Sequence, residues 1–131
     1  MFPVPEPMRR ALEAARVAGA ESEVPVGAAV VRGGQLLAVA ANAPRRLSDP
    51  TAHAEMRAIR EAAARLGTDR LEGCDLWVTL EPCAMCAGAI ALARIARVWA
   101  QPTCHHRPEV YGGIAEGEAA ALLRAFFRER R

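Results

Sequence analysis

The sequence contains no lysine: all 17 basic residues are arginine, set against 15 acidic residues for a net charge of +2. A balance this close to neutral singles out no class of partner. Also missing is a basic start followed by an apolar run. Met1 to Met8 alternates prolines with small and acidic residues instead, so it does not read as a secretory signal, and a cytoplasmic protein is expected. No apolar stretch is long enough for a membrane span. The longest nearly uncharged run, Ala84 to Ala93, stops at Arg94, too short to cross about 30 Å of hydrocarbon as a helix. Internal repeats and low-complexity linkers are absent. The four cysteines do not form the dense pattern of a secreted scaffold, and an intracellular chain keeps its thiols reduced, which leaves metal binding as their expected use. What remains is 131 residues, 52% of them apolar, enough to bury a real core as a single domain over 1–131.

Met8, Ala11, Leu12 and Ala15 recur at helical spacing and predict an amphipathic helix near residues 7–19. Strands are expected over Val26–Val31 and Leu36–Ala40, joined through Gly33 and Gly34 as a tight hairpin turn. Asn42 through Pro50 then reads as a loop. Asp49 or Thr51 is expected to cap a second helix, with Met56, Ile59, Ala63 and Leu66 as its apolar stripe and Gly67 as its stop. A buried strand is predicted over Asp75–Leu80. Pro82 suits the first turn of a following helix, and Ala84–Ala93 is apolar on every side, so that helix is expected to be buried on all faces. A strand at Ile95–Ala100 pairs in parallel with the previous one, because a helix separates them. Glu109–Tyr111 reads as a short fifth strand. Ala119, Leu122, Leu123, Phe126 and Phe127 give a closing helix. The result is one α/β domain, a mixed sheet of about five strands covered by helices.

Cys83 and Cys86 stand three apart at a helix start, where they share a face and can grip one ion. The helix N-terminus is expected to favour their thiolates. Taken alone the pair also reads as a redox dithiol or as chance in an alanine-rich helix. His53-Ala54-Glu55 sits at a second helix start, and two such starts can converge on one ion. One histidine and two thiolates leave the fourth tetrahedral position open for water, as catalytic zinc requires. Glu55 is the natural base, taking a proton from water and delivering it to a ring nitrogen and a leaving amine. Residues two apart in a regular helix do not share a face, so His53 and Glu55 can both address the metal only near a frayed first turn.

His53-Ala54-Glu55 with Pro82-Cys83-Ala84-Met85-Cys86 fits the H-x-E and P-C-x-x-C signature of zinc nucleobase deaminases. Glu23-Val24-Pro25-Val26-Gly27-Ala28, Asp49-Pro50-Thr51-Ala52-His53-Ala54-Glu55, Thr79-Leu80-Glu81-Pro82-Cys83, Met85-Cys86-Ala87-Gly88-Ala89 and the closing Phe126-Phe127-Arg128-Glu129-Arg130-Arg131 extend the match. Over most of its length the chain resembles the bacterial tRNA-specific adenosine deaminases, which convert the wobble adenosine of an anticodon to inosine. The resemblance implies a three-layer cytidine-deaminase-like fold, one Zn2+ per chain, a tRNA anticodon loop as partner and a homodimer. It implies that Asn42 hydrogen-bonds the target base and that the Ala54 backbone accepts from the departing amino group. Arg128, Arg130 and Arg131 become candidates for phosphate contact, while the stripe spacing of Phe126 and Phe127 favours core packing.

Between Ala100 and Val110 the chain departs from that family, which carries a longer segment there; this chain has only Gln101 to Glu109. Cys104, His105, His106 and Arg107 occupy the shortened loop as pocket-mouth or ordinary loop residues, and Cys74 reads as a buried thiol. The shorter loop keeps a second substrate class open, a free base or nucleoside of guanine, cytosine or adenine type. A third reading, a non-catalytic zinc-stabilised binding module, is opposed by the intact Glu55 and by the count of three protein ligands.

Overall fold

A computed structural model describes residues 4–80 and 82–100, with Ala121, Ala125 and Arg128 as isolated helical positions. Those three agree with the expected closing helix. The strand expected at Glu109–Tyr111 lies outside the described residues, as do Cys104, His105, His106, Arg107, Phe126, Phe127, Arg130 and Arg131.

The elements run α1 (Glu6–Ala20), β1 (Gly27–Arg32), β2 (Gln35–Ala41), α2 (Ala54–Leu66), β3 (Cys74–Val78), α3 (Ala84–Ala93) and β4 (Arg97–Ala100). The expected five strands are four among the described residues, ordered β2-β1-β3-β4. β1 pairs antiparallel with β2 and β3, and β3 pairs in parallel with β4. Gly33 and Gly34 both adopt positive φ, 55° and 79°, the backbone that a two-residue hairpin turn of matching twist demands.

Side-chain alternation along β1 divides the core between the two faces of the sheet. Ala29 joins Met8 and Ala11 under α1, whereas Ala28 and Val30 join Ala54, Ala58, Ile59 and Ala62 of α2. This yields three layers, with α1 on one face and α2 and α3 on the other. Small residues decide how closely the layers meet. A Cβ on Gly27 would run into the backbone carbonyl of Ala11, so α1 lies directly against the strand only because glycine stands there. On the opposite face Leu71, Leu76, Val30 and Val78 are fully buried, each contributing about 1.5–3 kcal/mol of apolar transfer.

Three details differ from the sequence expectation. The buried face of α2 is Ala54, Glu55, Ala58, Ile59 and Ala62, while Met56, Ala63 and Leu66 are half-buried at its flank. Alanines let the helix axis approach the sheet, and the larger side chains fill the margins. The caps of α2 and α3 are His53 and Cys83, not Asp49, Thr51 or a Pro82-led first turn. Finally, α3 is not buried all round: Cys86 and Ala93 are buried and Ala89 and Ile90 pack on the core, but Met85 and Leu92 are exposed. Among the described elements, that helix packs against α2 alone. Among the described residues no helix is long and apolar enough to cross a membrane.

Candidate metal centre and base-reading site

Both helix starts that carry candidate ligands are built the same way. His53 caps α2 with φ −69° and ψ 152°, and Cys83 caps α3 with φ −71° and ψ 174°, so each is extended backbone just outside its helix. Neither side chain makes the usual capping hydrogen bond. Both are therefore free to turn toward something else. A cap side chain naturally leans over the third helical residue, and at α3 that residue is Cys86. The same geometry answers the spacing problem posed by His53 and Glu55: His53 is not in the helix, so helical periodicity does not separate it from Glu55 in the first turn.

The three ligand atoms meet. His53 Nδ1 lies 3.6 Å from Cys83 Sγ and 3.4 Å from Cys86 Sγ, and all three lie within 4.8 Å of one another. One imidazole nitrogen and two sulfurs form a donor set suited to zinc. Glu55, buried at 4% relative exposure, places its carboxylate beside the Cys86 thiol. Burial pushes the Cys86 thiol well up, and the neighbouring Glu55 and Cys83 push it further in the same direction. A divalent cation held between the sulfurs would offset that penalty and favour the thiolate form.

Asn42 follows directly on β2 and is 8% exposed, with its N–H donating to the Val26 carbonyl at 2.9 Å. Among the described residues none hydrogen-bonds its side-chain amide. The neighbouring loop is closed by Ala43 N–H donating to the Ala52 carbonyl at 3.0 Å. Ala54 is fully buried as the first residue of α2. Of the candidate phosphate contacts, Arg128 is exposed and helical. Arg45 and Arg46 are exposed, and Arg46 pairs with Glu21 at 3.5 Å. Arg9 pairs with Glu6, and Cys74 is a fully buried thiol as expected.

Two residues beside Asn42 received no role from sequence reasoning. Glu23, 5% exposed, accepts from the backbone N–H of Arg45 at 3.1 Å and of Arg46 at 2.8 Å. It opens the Glu23–Ala28 stretch that carries part of the family resemblance, but nothing in that stretch marks what its carboxylate binds. Arg57, from α2, donates through Nη1 to the Ala41 carbonyl at 2.5 Å. Nothing in its spacing distinguishes it from a solvated helix arginine.

The family model of the cytidine and deoxycytidylate deaminase zinc-binding region matches residues 5–101. The tRNA-specific adenosine deaminase of Agrobacterium fabrum (strain C58 / ATCC 33970) is 49% identical over 142 residues, covering 95% of this chain and 93% of that protein. That alignment is longer than the 131-residue chain, so the relative carries residues this chain lacks. A solved structure from biochemical and structural studies of A-to-I editing by tRNA:A34 deaminases at the wobble position of transfer RNA is 47% identical. It superposes with a TM-score of 0.71 over 88% of this chain and 97% of its own. Guanine deaminase from Bacillus subtilis is 28% identical, with a TM-score of 0.75 over 97% of this chain and 95% of its own.

Proposed function

The chain belongs to the cytidine and deoxycytidylate deaminase zinc-binding family, and from that premise we propose a zinc-dependent hydrolytic deaminase converting adenosine to inosine at the wobble position of a tRNA anticodon. The observation that carries the chemistry is the meeting of His53, Cys83 and Cys86 within 4.8 Å, with the buried Glu55 alongside. Its substrate rests on the 49% identical relative named a tRNA-specific adenosine deaminase.

In this reading His53, Cys83 and Cys86 hold one Zn2+, which when bound lowers the pKa of water toward about 7. Glu55 would take one proton from the attacking water and pass it to the ring nitrogen, then pass water's second proton to the leaving amine. Water's oxygen becomes the carbonyl oxygen of inosine, the C–N bond breaks and ammonia departs. Asn42 reads the base edge with an amide that can donate and accept, and the Ala54 carbonyl accepts from the amino group as it leaves. Arg128, Arg130 and Arg131 contact phosphate. The whole of 1–131 acts as one cytoplasmic domain. It pairs as a homodimer through the exposed apolar side of α3, where Leu92 is 83% exposed.

A second reading keeps the chemistry with a free base or nucleoside. It is favoured by the similarity to a guanine deaminase and by the residues missing relative to the tRNA deaminase. Incubating the protein with an anticodon stem-loop beside a panel of free bases and nucleosides, then assaying inosine and ammonia, separates the two. Inosine in the stem-loop is expected. Deamination confined to the small molecules would overturn the tRNA reading.

A further inference from the structure

Asn42 and His53 stand at the two ends of one loop between β2 and α2, and what fixes that loop fixes how the two side chains are placed relative to each other. Its middle is held by a single buried charge. The two carboxylate oxygens of Glu23 each take one of two consecutive backbone N–H groups, Arg45 to Oε1 at 3.1 Å and Arg46 to Oε2 at 2.8 Å, across more than twenty residues of sequence. The nearby guanidinium groups go elsewhere: that of Arg45 donates to the Ser22 carbonyl at 3.4 Å and that of Arg46 meets Glu21. Glu23 is thus bound by backbone rather than by an exposed ion pair. A carboxylate at 5% exposure is costly to leave unsatisfied, so the two amides and the carboxylate enforce one loop conformation. Among the described residues Glu23 makes no hydrogen bond to Asn42 or His53.

We propose that Glu23 is a positioning residue that sets Asn42 for base recognition by clamping the Asn42–His53 loop through the Arg45 and Arg46 amides. This rests on the reading of Asn42 as the base contact. Glu23→Gln keeps the shape and one acceptor but sets an NH2 group against a backbone N–H. Glu23→Asp keeps the charge with a shorter reach.

The test is a double-mutant cycle on inosine formation in the anticodon stem-loop, with zinc content and thermal melting measured for every variant. Glu23→Gln is expected to lower kcat/KM roughly tenfold in the otherwise native protein, the effect of one charge-assisted hydrogen bond. In an Asn42→Ala background the same change is expected to cost less than about twofold, because the group being positioned is gone. Glu23→Asp should recover part of the loss. Zinc should stay near one per chain throughout. Equal losses in both backgrounds would overturn the proposal while leaving Asn42 as the base contact. An Asn42→Ala protein with undiminished turnover would overturn the base-contact reading and the Glu23 proposal with it. Should Glu23→Gln fail to fold, Glu23→Asp carries the same cycle.

Discussion

At the scale of single residues, the site depends on side chains that decline their ordinary partners. His53 and Cys83 occupy capping positions without capping, and the Asn42 amide has no partner among the described residues. Asn42→Ala is therefore expected to lower kcat/KM about tenfold or more without loss of zinc, measured by steady-state kinetics alongside metal analysis. Asp49 behaves in the opposite way. The Thr51 hydroxyl and N–H both donate to it, at 2.7 and 2.9 Å, and hold its carboxyl below the ordinary 3.8. A folded-state pKa below the unfolded one stabilises above the unfolded value and is lost as pH falls through the folded one. The melting temperature should accordingly drop as pH falls below 3.8, and less so in Thr51→Ala. An unchanged pH profile in that variant would remove Asp49 from the account.

At the scale of elements, close packing of small residues governs the fold. Gly27→Ala forces a methyl group into the Ala11 carbonyl and should destabilise by about 1–3 kcal/mol in urea melts, whereas alanine at exposed Gly88 meets nothing within 4 Å. Much of this order was legible beforehand. Strand alternation, the Gly33-Gly34 turn and the helix between β3 and β4 are local patterns, and local patterns survive into the fold. The cap positions were not legible, because Asp49 and Thr51 carry the better capping side chains and only the tertiary structure shows that they hydrogen-bond each other instead. The α2 stripe was displaced for a related reason: periodicity weights large side chains, while contact with the sheet selects the smallest. At the site, spacing singled out His53, Cys83 and Cys86, whose ligand atoms the structure brings together, because a metal centre needs particular residue types. Glu23 and Arg57 bind backbone groups, which any sequence supplies: Glu23 stands in a stretch that resembles the family, yet nothing there marks what it binds, and no motif marks Arg57.

At the scale of the whole molecule, two links remain to be tested. A zinc held by His53, Cys83 and Cys86 would join the starts of α2 and α3, so removing it with a chelator should lower the melting temperature by several degrees, reversibly on adding zinc. The exposed Leu92 and Met85 on α3 support pairing of two chains, and sedimentation is expected to show a dimer that Leu92→Glu weakens toward monomer. A native protein that sediments as a monomer would remove that interface. Central to the account is that Glu55 moves protons beside a zinc held by His53, Cys83 and Cys86. The most direct measurement is ammonia release by Glu55→Ala against the native protein at equal zinc content. Near one zinc per chain in both, with turnover down by about 10²–10⁴-fold in the variant, is the predicted result; a zinc-loaded Glu55→Ala protein that still releases ammonia at the native rate would contradict it.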